Sequence, residues 1–236
     1  MTHLLAADGR RVLAVETDTQ LAEGLRQLMR TSPDRWCGSE VVAGDILALD
    51  LRKLSNGKFR VYGNLPYQIT SPILHRLFEC ADLIASIHLV IQFEVATRIV
   101  ARPGFRDYGY LSVACQFYTR PEIVMRIPPS VFRPPPRVTS ALLRMTLPGG
   151  RESLFLSDEK RFLKFAQTCF GQKRKTLRNN LRAITSDEHI HQALEAGGLR
   201  PDARAEQLTL AQFAALFTQL REALAEVPES PPADPR

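Results

Sequence analysis

The sequence predicts an α/β fold: a mostly parallel sheet with an antiparallel edge, followed by a small all-helical C-terminal domain. Three observations carry this prediction. Short β-like apolar runs alternate with amphipathic helix patterns in the first part of the chain, two strand-like runs flank a proline-rich stretch, and after Pro148-Gly149-Gly150 only helical periodicity remains.

Taken in order, Leu4-Leu5-Ala6-Ala7 reads as the end of a helix, and Val12 to Val15 is a strand that ends at Glu16. Asp18 then stands as the N-cap of an amphipathic helix carrying Leu21, Leu25, Leu28 and Met29. Val41-Val42-Ala43 forms the next strand and ends at Gly44-Asp45. Phe59 to Tyr62 ends at Gly63-Asn64, after which Ser71-Pro72 opens a helix with Ile73, Leu74, Leu77 and Phe78. Ile87 to Ile91 gives a further buried strand, and the alternation implies right-handed βαβ crossovers. Glu122 to Ile127 and Val138 to Leu147, joined through Pro128 to Pro136, supply the antiparallel edge. Helices are expected at 158–170, 173–183, 187–196 and 209–223. The expected division is therefore an α/β domain over 1–149, a helical domain over 150–224 and a disordered Pro-rich tail over 225–236, where the last twelve residues hold four prolines.

With 31 Lys+Arg against 25 Asp+Glu in 236 residues, the formal net charge of +6 is modest. Its distribution is uneven: Lys173, Arg174, Lys175, Arg178 and Arg182 form a basic run without an acidic residue. Cys37, Cys80, Cys115 and Cys169 stand far apart with no CxxC and no His at ligand spacing, so neither a zinc site nor a disulfide framework is expected, and no metal. No apolar run approaches the roughly 18 residues of a membrane span, and no signal peptide opens the chain, so a cytoplasmic protein without membrane association is expected.

In open α/β sheets ligands bind outside the carboxyl ends of the strands, which directs attention to Glu16, Asp45 and Asn64. Taken singly, acids and Asn at strand ends are ordinary caps and turn residues. Three in succession suit a nucleoside-like ligand, with one acid accepting from ribose hydroxyls and the next from an adenine amine. A Rossmann acid follows its glycine-rich loop by about 20 residues. Only fifteen residues precede Glu16, and they hold a single glycine, Gly9, so the sequence is expected to lack the first strand and the glycine loop of such a fold.

Asn64-Leu65-Pro66-Tyr67, directly after a predicted strand, is the sharpest motif. The exocyclic amine of a nucleobase is a poor nucleophile because its lone pair is delocalised into the ring. Two acceptors on its hydrogens, the Asn64 side-chain oxygen and the Pro66 carbonyl, favour a pyramidal nitrogen, and Tyr67 can stack on a base taken out of its helix. A plain turn with a buried Tyr is the competing account. Phe132, before Arg133 and three prolines, is by itself equally readable as a packing anchor.

With these residues in place, the chain resembles the ribosomal RNA adenine dimethyltransferases over nearly its whole length. The resemblance runs through VETD at Val15, GDIL at Gly44, GNLPYQITSPIL at Gly63, DYGYLSVACQ at Asp107, PPSVFRPPPRVTSALL at Pro128 and FGQKRKTLRNNL at Phe170. It implies a Rossmann-like S-adenosylmethionine-dependent methyltransferase that dimethylates two adjacent adenosines near the 3′ end of small-subunit (16S) rRNA. Its partner would be the immature 30S particle, on which it acts as a monomer. Glu16 would meet the cofactor ribose, Asp45 and the Ile46 backbone its adenine, and Asn64 both cofactor and target amine. Tyr67 and Phe132 would sandwich the flipped adenine, and Lys173, Arg174, Lys175, Arg178 and Arg182, on one predicted helix, would contact RNA. The sequence starts at the end of the family's glycine-rich GPGxGxLT motif, and Gln68, Phe93 and Tyr110 stand where Asn, Lys and Arg are common. Two rivals follow: a large-subunit rRNA adenine methyltransferase of the antibiotic-resistance type, and a non-catalytic RNA-binding assembly factor that lacks the glycine loop.

Overall fold

A computed structural model describes residues 2–6, 10–36, 38–54 and 57–225. The Pro-rich tail expected over 225–236 lies, past Ala225, outside the described residues, as does Cys37. The chain divides into two compact units: Met1–Phe59 with Gln68–Ile84, and Arg60–Tyr67 with Ala85–Arg236.

The first unit contains α1 (Thr2–Ala6), β1 (Leu13–Glu16), α2 (Thr19–Thr31), β2 (Glu40–Ala43), α3 (Leu51–Leu54) and α4 (Thr70–Phe78). Strands β1 and β2 pair in parallel, from Leu13 opposite Glu40 to Glu16 opposite Ala43. The α2 helix begins where Asp18 predicts: its carboxylate accepts from the Gln20 and Leu21 amides at 2.8 and 3.1 Å, satisfying two donors that the first helical turn leaves open. Ile73, Leu74, Leu77 and Phe78 form the buried face of α4, as their i, i+1, i+4, i+5 spacing requires. The Arg52 guanidinium donates to both Asp82 oxygens at 2.8 and 2.9 Å and to the Glu79 carbonyl at 2.8 Å, tying α3 to the segment after α4.

The second unit holds β3 (Phe59–Asn64) and β4 (Ile84–Gln92), the first residue of each belonging to the first unit, with α5 (Phe93–Val100), α6 (Tyr110–Tyr118), β5 (Arg120–Ile127) and β6 (Ser140–Thr146). Then come α7 (Arg151–Leu154), α8 (Glu159–Cys169), α9 (Leu177–Leu181), α10 (Asp187–Ala196) and α11 (Leu210–Ala225). The sheet order is β3-β4-β6-β5. The Phe59 amide bonds the Leu83 carbonyl and the Leu65 amide the Val90 carbonyl, so β3 and β4 advance together as a parallel pair. Strand β6 runs antiparallel to both β4 and β5, so it is the one reversed strand. The result is a mixed α/β sheet, mostly parallel with an antiparallel edge. Ile87, Leu89 and Ile91 of β4 are fully buried on one face, the period-2 signature of a core strand.

Every described element after Thr146 is helical, and these helices share a core with α6. Phe117 of α6 lies 5.1 Å from Phe162 of α8, which meets Phe217 of α11 at 5.7 Å. The chain enters this region through Gly149, where a Cβ would stand 2.3 Å from the Thr119 amide nitrogen and 2.7 Å from the Gln116 carbonyl. Only glycine permits so close a passage of two backbones.

Two differences from the sequence reading have physical causes. Helix α6 is not evident from periodicity, because it buries Ser112, Val113, Ala114, Cys115, Phe117 and Tyr118 and so carries no polar face to mark a helix. The helix expected over 173–183 is shorter, Leu177–Leu181: Thr176 caps it, accepting from the Asn179 amide at 3.4 Å. Asn180 closes the preceding turn, accepting from the Gln172 amide at 3.0 Å and donating to the Cys169 carbonyl at 2.7 Å. Lys173, Arg174 and Lys175 therefore lie on a turn, and Arg174 does not share a helical face with Arg178 and Arg182.

Candidate functional site

In the first unit, the parallel ladder brings two carboxylates to one edge. Glu16 ends β1, and its carbonyl accepts from the Gly44 amide at 2.9 Å, which extends the pairing with the β2 segment to the residue before Asp45. Glu16 Oε1 accepts from the Asp18 amide at 3.0 Å and Asp45 Oδ1 from the Leu47 amide at 2.9 Å. Neither carboxylate is ion-paired among the described residues, so both keep acceptor capacity. Ile46, half-buried, follows Asp45 directly. Parallel neighbours end on the same side, which is why two acids so far apart in sequence become neighbours.

In the second unit, β3 ends at Asn64, and the chain turns through the exposed Pro66 to Tyr67. Packing at Gly63 holds this corner tightly: a Cβ there would lie 3.0 Å from Leu65 Cδ2 and 3.2 Å from Leu89 Cδ2. The Tyr67 hydroxyl is 2.7 Å from the Ser140 hydroxyl, the fully buried first residue of β6. The carboxyl ends of β3 and β4 meet the start of β6 here, since the Phe93 amide donates to the Thr139 carbonyl at 2.9 Å. Half-buried Phe132 stands on the Pro-rich connection leading into β6, its amide on the Pro129 carbonyl at 3.1 Å. The Arg126 guanidinium sits over the neutral Phe93 ring at 4.0 Å, so a cation lies beside this position.

The basic run is less free than its composition suggests. Arg178 reaches the Asp187 carboxylate with two bonds of 3.2 Å, and Arg182 with two of 2.7 Å. Hydrogen bonds from Arg182 and then Arg178 hold that carboxyl far below the usual range. Lys173 donates to the Arg106 carbonyl at 2.8 Å, while Arg174 and Lys175 are exposed and unpaired among the described residues. Burial pushes the Cys115 and Cys169 thiols up, out of any nucleophilic role at neutral pH. A groove of about 570 Å³ in the second unit, lined by residues including Arg102, Gln116, Arg120, Glu152 and Leu210, contains none of the candidate site residues. Ser140 and Asp187 escaped the sequence reading because neither belongs to a local motif with its partner.

The mixed α/β fold, with polar residues at its strand exits, defines a Rossmann-like class of protein. The sequence model of the family described as ribosomal RNA adenine dimethylase matches residues 1–222, and the chain belongs to that family. Enzymes of this kind are methyltransferases that use S-adenosylmethionine. Among curated relatives, the ribosomal RNA small subunit methyltransferase A of Koribacter versatilis is 42% identical over 236 residues, covering 94% of this chain and 81% of the relative. The protein of the same name from Acidobacterium capsulatum is 40% identical over 228 residues, covering 94% and 78%. The fold is shared with the crystal structure of a dimethyladenosine transferase from Plasmodium falciparum, with a TM-score of 0.71 and 21% identity over 90% of this chain and 82% of that one. The 23S rRNA methyltransferase ErmE superposes with a TM-score of 0.62 and 26% identity, covering 90% and 82%.

Proposed function

We propose that this chain dimethylates the exocyclic amines of two adjacent adenosines near the 3′ end of small-subunit rRNA, acting in the cytoplasm as a monomer on an immature 30S particle. The observation that carries the reading is the Asn64–Tyr67 corner at the exit of β3, with its tyrosine pinned to the buried Ser140. A large-subunit target, suggested by the likeness to ErmE, is the second reading. The curated relatives at 40–42% identity favour the first.

The Glu16 and Asp45 carboxylates, without an ion pair among the described residues, fit the nucleoside half of S-adenosylmethionine. Glu16 accepts from ribose hydroxyls, Asp45 accepts from the adenine amine, and the Ile46 amide donates to the adenine ring. When bound, the cofactor supplies an electrophilic methyl group on a sulfonium. In the second unit, the Asn64 side-chain oxygen and the Pro66 carbonyl accept the two hydrogens of the target amine and turn its lone pair out of the ring plane. Both acceptors also stabilise the positive charge that develops on that nitrogen, so positioning and electrostatics supply the rate and no strong general base is needed. Tyr67 and Phe132 hold the extruded base by stacking, worth about 1–3 kcal/mol per base. Lys173, Arg174 and Lys175 contact RNA phosphates, joined by Arg178 and Arg182 when Asp187 yields them.

The test is modification mapping of ribosomal particles incubated with this chain and S-adenosylmethionine. Dimethylation of two adjacent adenosines in small-subunit rRNA is expected. Modification of large-subunit rRNA alone, or no methyl incorporation by a chain that binds the particle, overturns the proposal.

A further inference from the structure

The second unit sets beside the basic turn Lys173–Lys175 an exposed loop with an aromatic ring that the reaction above does not use. Between α5 and α6 the chain forms an exposed loop, 101–109, that is held in place by several ties. The Gly104 amide donates to the Glu206 carbonyl at 2.7 Å, with Gly104 at φ +87°, a conformation that favours glycine. The Phe105 amide bonds the Arg102 carbonyl at 3.2 Å, and the Tyr108 amide bonds the Phe105 carbonyl at 3.1 Å. Buried Tyr108 meets Phe170 edge-on at 6.1 Å, and the Lys173 ammonium donates to the Arg106 carbonyl at 2.8 Å. The loop is thus fastened to the basic turn Lys173–Lys175.

Phe105, at the tip of this anchored loop, is 65% exposed. A rigid loop that leaves its one phenyl ring in water gives up the burial that a core role would bring. Its surroundings point to an occupant. Arg102, Arg106, Arg174 and Lys175 are exposed and have no ion pair among the described residues, and Lys173 stands beside them, against exposed Asp107 and half-buried Glu206. Protein interfaces deplete Lys around their aromatic anchors, whereas an aromatic ring set among cations is how proteins hold an unpaired base and its phosphates.

We infer that the loop 101–109 and the turn Lys173–Lys175 form one RNA contact, in which Phe105 stacks on an unpaired base outside the methylation pocket and the flanking cations hold its phosphates. This rests on the proposed rRNA-methylating function and adds to it a contact that positions the RNA away from the reacting adenine.

The experiment measures equilibrium binding of small-subunit rRNA to the full chain and to its Phe105→Ala, Phe105→Leu and Phe105→Trp variants over a salt series, with thermal melting and methyl transfer followed in parallel. Phe105→Ala and Phe105→Leu are expected to raise Kd roughly fivefold or more, with Phe105→Trp near wild type and all melting temperatures unchanged. The salt slope stays constant in these variants, and Lys175→Ala lowers it by about 0.7–0.9 of a unit. Equal Kd for wild type and Phe105→Ala, or full retention of affinity by Phe105→Leu, overturns the inference even if the chain methylates RNA. The expected Phe105 pattern in a chain that transfers no methyl group overturns the enzymatic reading and leaves this one standing.

Discussion

Removing the Tyr67 hydroxyl while keeping its ring isolates the contact that orients the proposed base-stacking surface. In Tyr67→Phe the Ser140 hydroxyl, fully buried, loses the partner that now sits 2.7 Å away. Stranding such a group costs about 1–3 kcal/mol. Ser140→Ala leaves instead the hydroxyl of a half-buried tyrosine, which reaches water more easily, at about 0.5–1.5 kcal/mol. The double variant has neither group to satisfy, so its loss should not exceed that of the worse single variant, a coupling of about 1 kcal/mol. Urea unfolding of the four proteins measures this directly. Methyl-transfer kinetics should show the same pattern: kcat/KM falls severalfold in each single variant and no further in the double, while the cofactor Kd stays unchanged. Strict additivity of the two stability losses, or a Tyr67→Phe protein with wild-type stability and turnover, refutes the reasoning.

Asn64→Ala should lower kcat by a hundredfold or more, about 3 kcal/mol of barrier, with the calorimetric Kd for S-adenosylmethionine held within about twofold; equal loss of both would make Asn64 mainly a cofactor ligand. Gly149→Ala should destabilise severely, because the new Cβ meets backbone at 2.3–2.7 Å with no flexible side chain to give way; an unchanged melting temperature would refute the close passage. The depressed Asp187 pKa predicts a contribution to stability that is complete above the ordinary carboxylate range and is lost as pH falls below about 4. The melting-temperature gap between wild type and Asp187→Asn should therefore be constant from neutral pH to about 5 and close in acid. A gap that persists in acid would show that the Arg178 and Arg182 bonds do not depend on the charge.

Elements announced by short-range signals were readable from the chain itself. Asp18 capped its helix because a carboxylate two residues before the first free amides can reach them, whatever the rest of the fold does. The strands ending at Glu16, Asn64 and Gln92 were carried by β-like apolar runs of a few residues, and the shift to helices after Thr146 by periodicity. The residues Glu16, Asp45 and Asn64 could be nominated because strand exits in α/β folds are where ligands bind.

Tertiary structure decided what those signals leave open. Helix α6 could not be read because burial on all sides removes the polar stripe by which a helix shows in sequence. The length of α9 was set by the Asn180 bonds to Cys169 and Gln172, which stop a helix that residue propensity would have continued through Lys173. Asp187 claimed two arginines that composition alone counted as free cations. The Tyr67–Ser140 contact joins residues 73 positions apart, and no local pattern encodes it, since it exists only once β6 has inserted beside β4. Periodicity and capping act within a turn or two of the backbone, so the sequence by itself determined which segments would be helix or strand and which polar residues would stand at their ends. Hydrogen-bond partners across the sheet depend on strand order, and only the folded chain chose them.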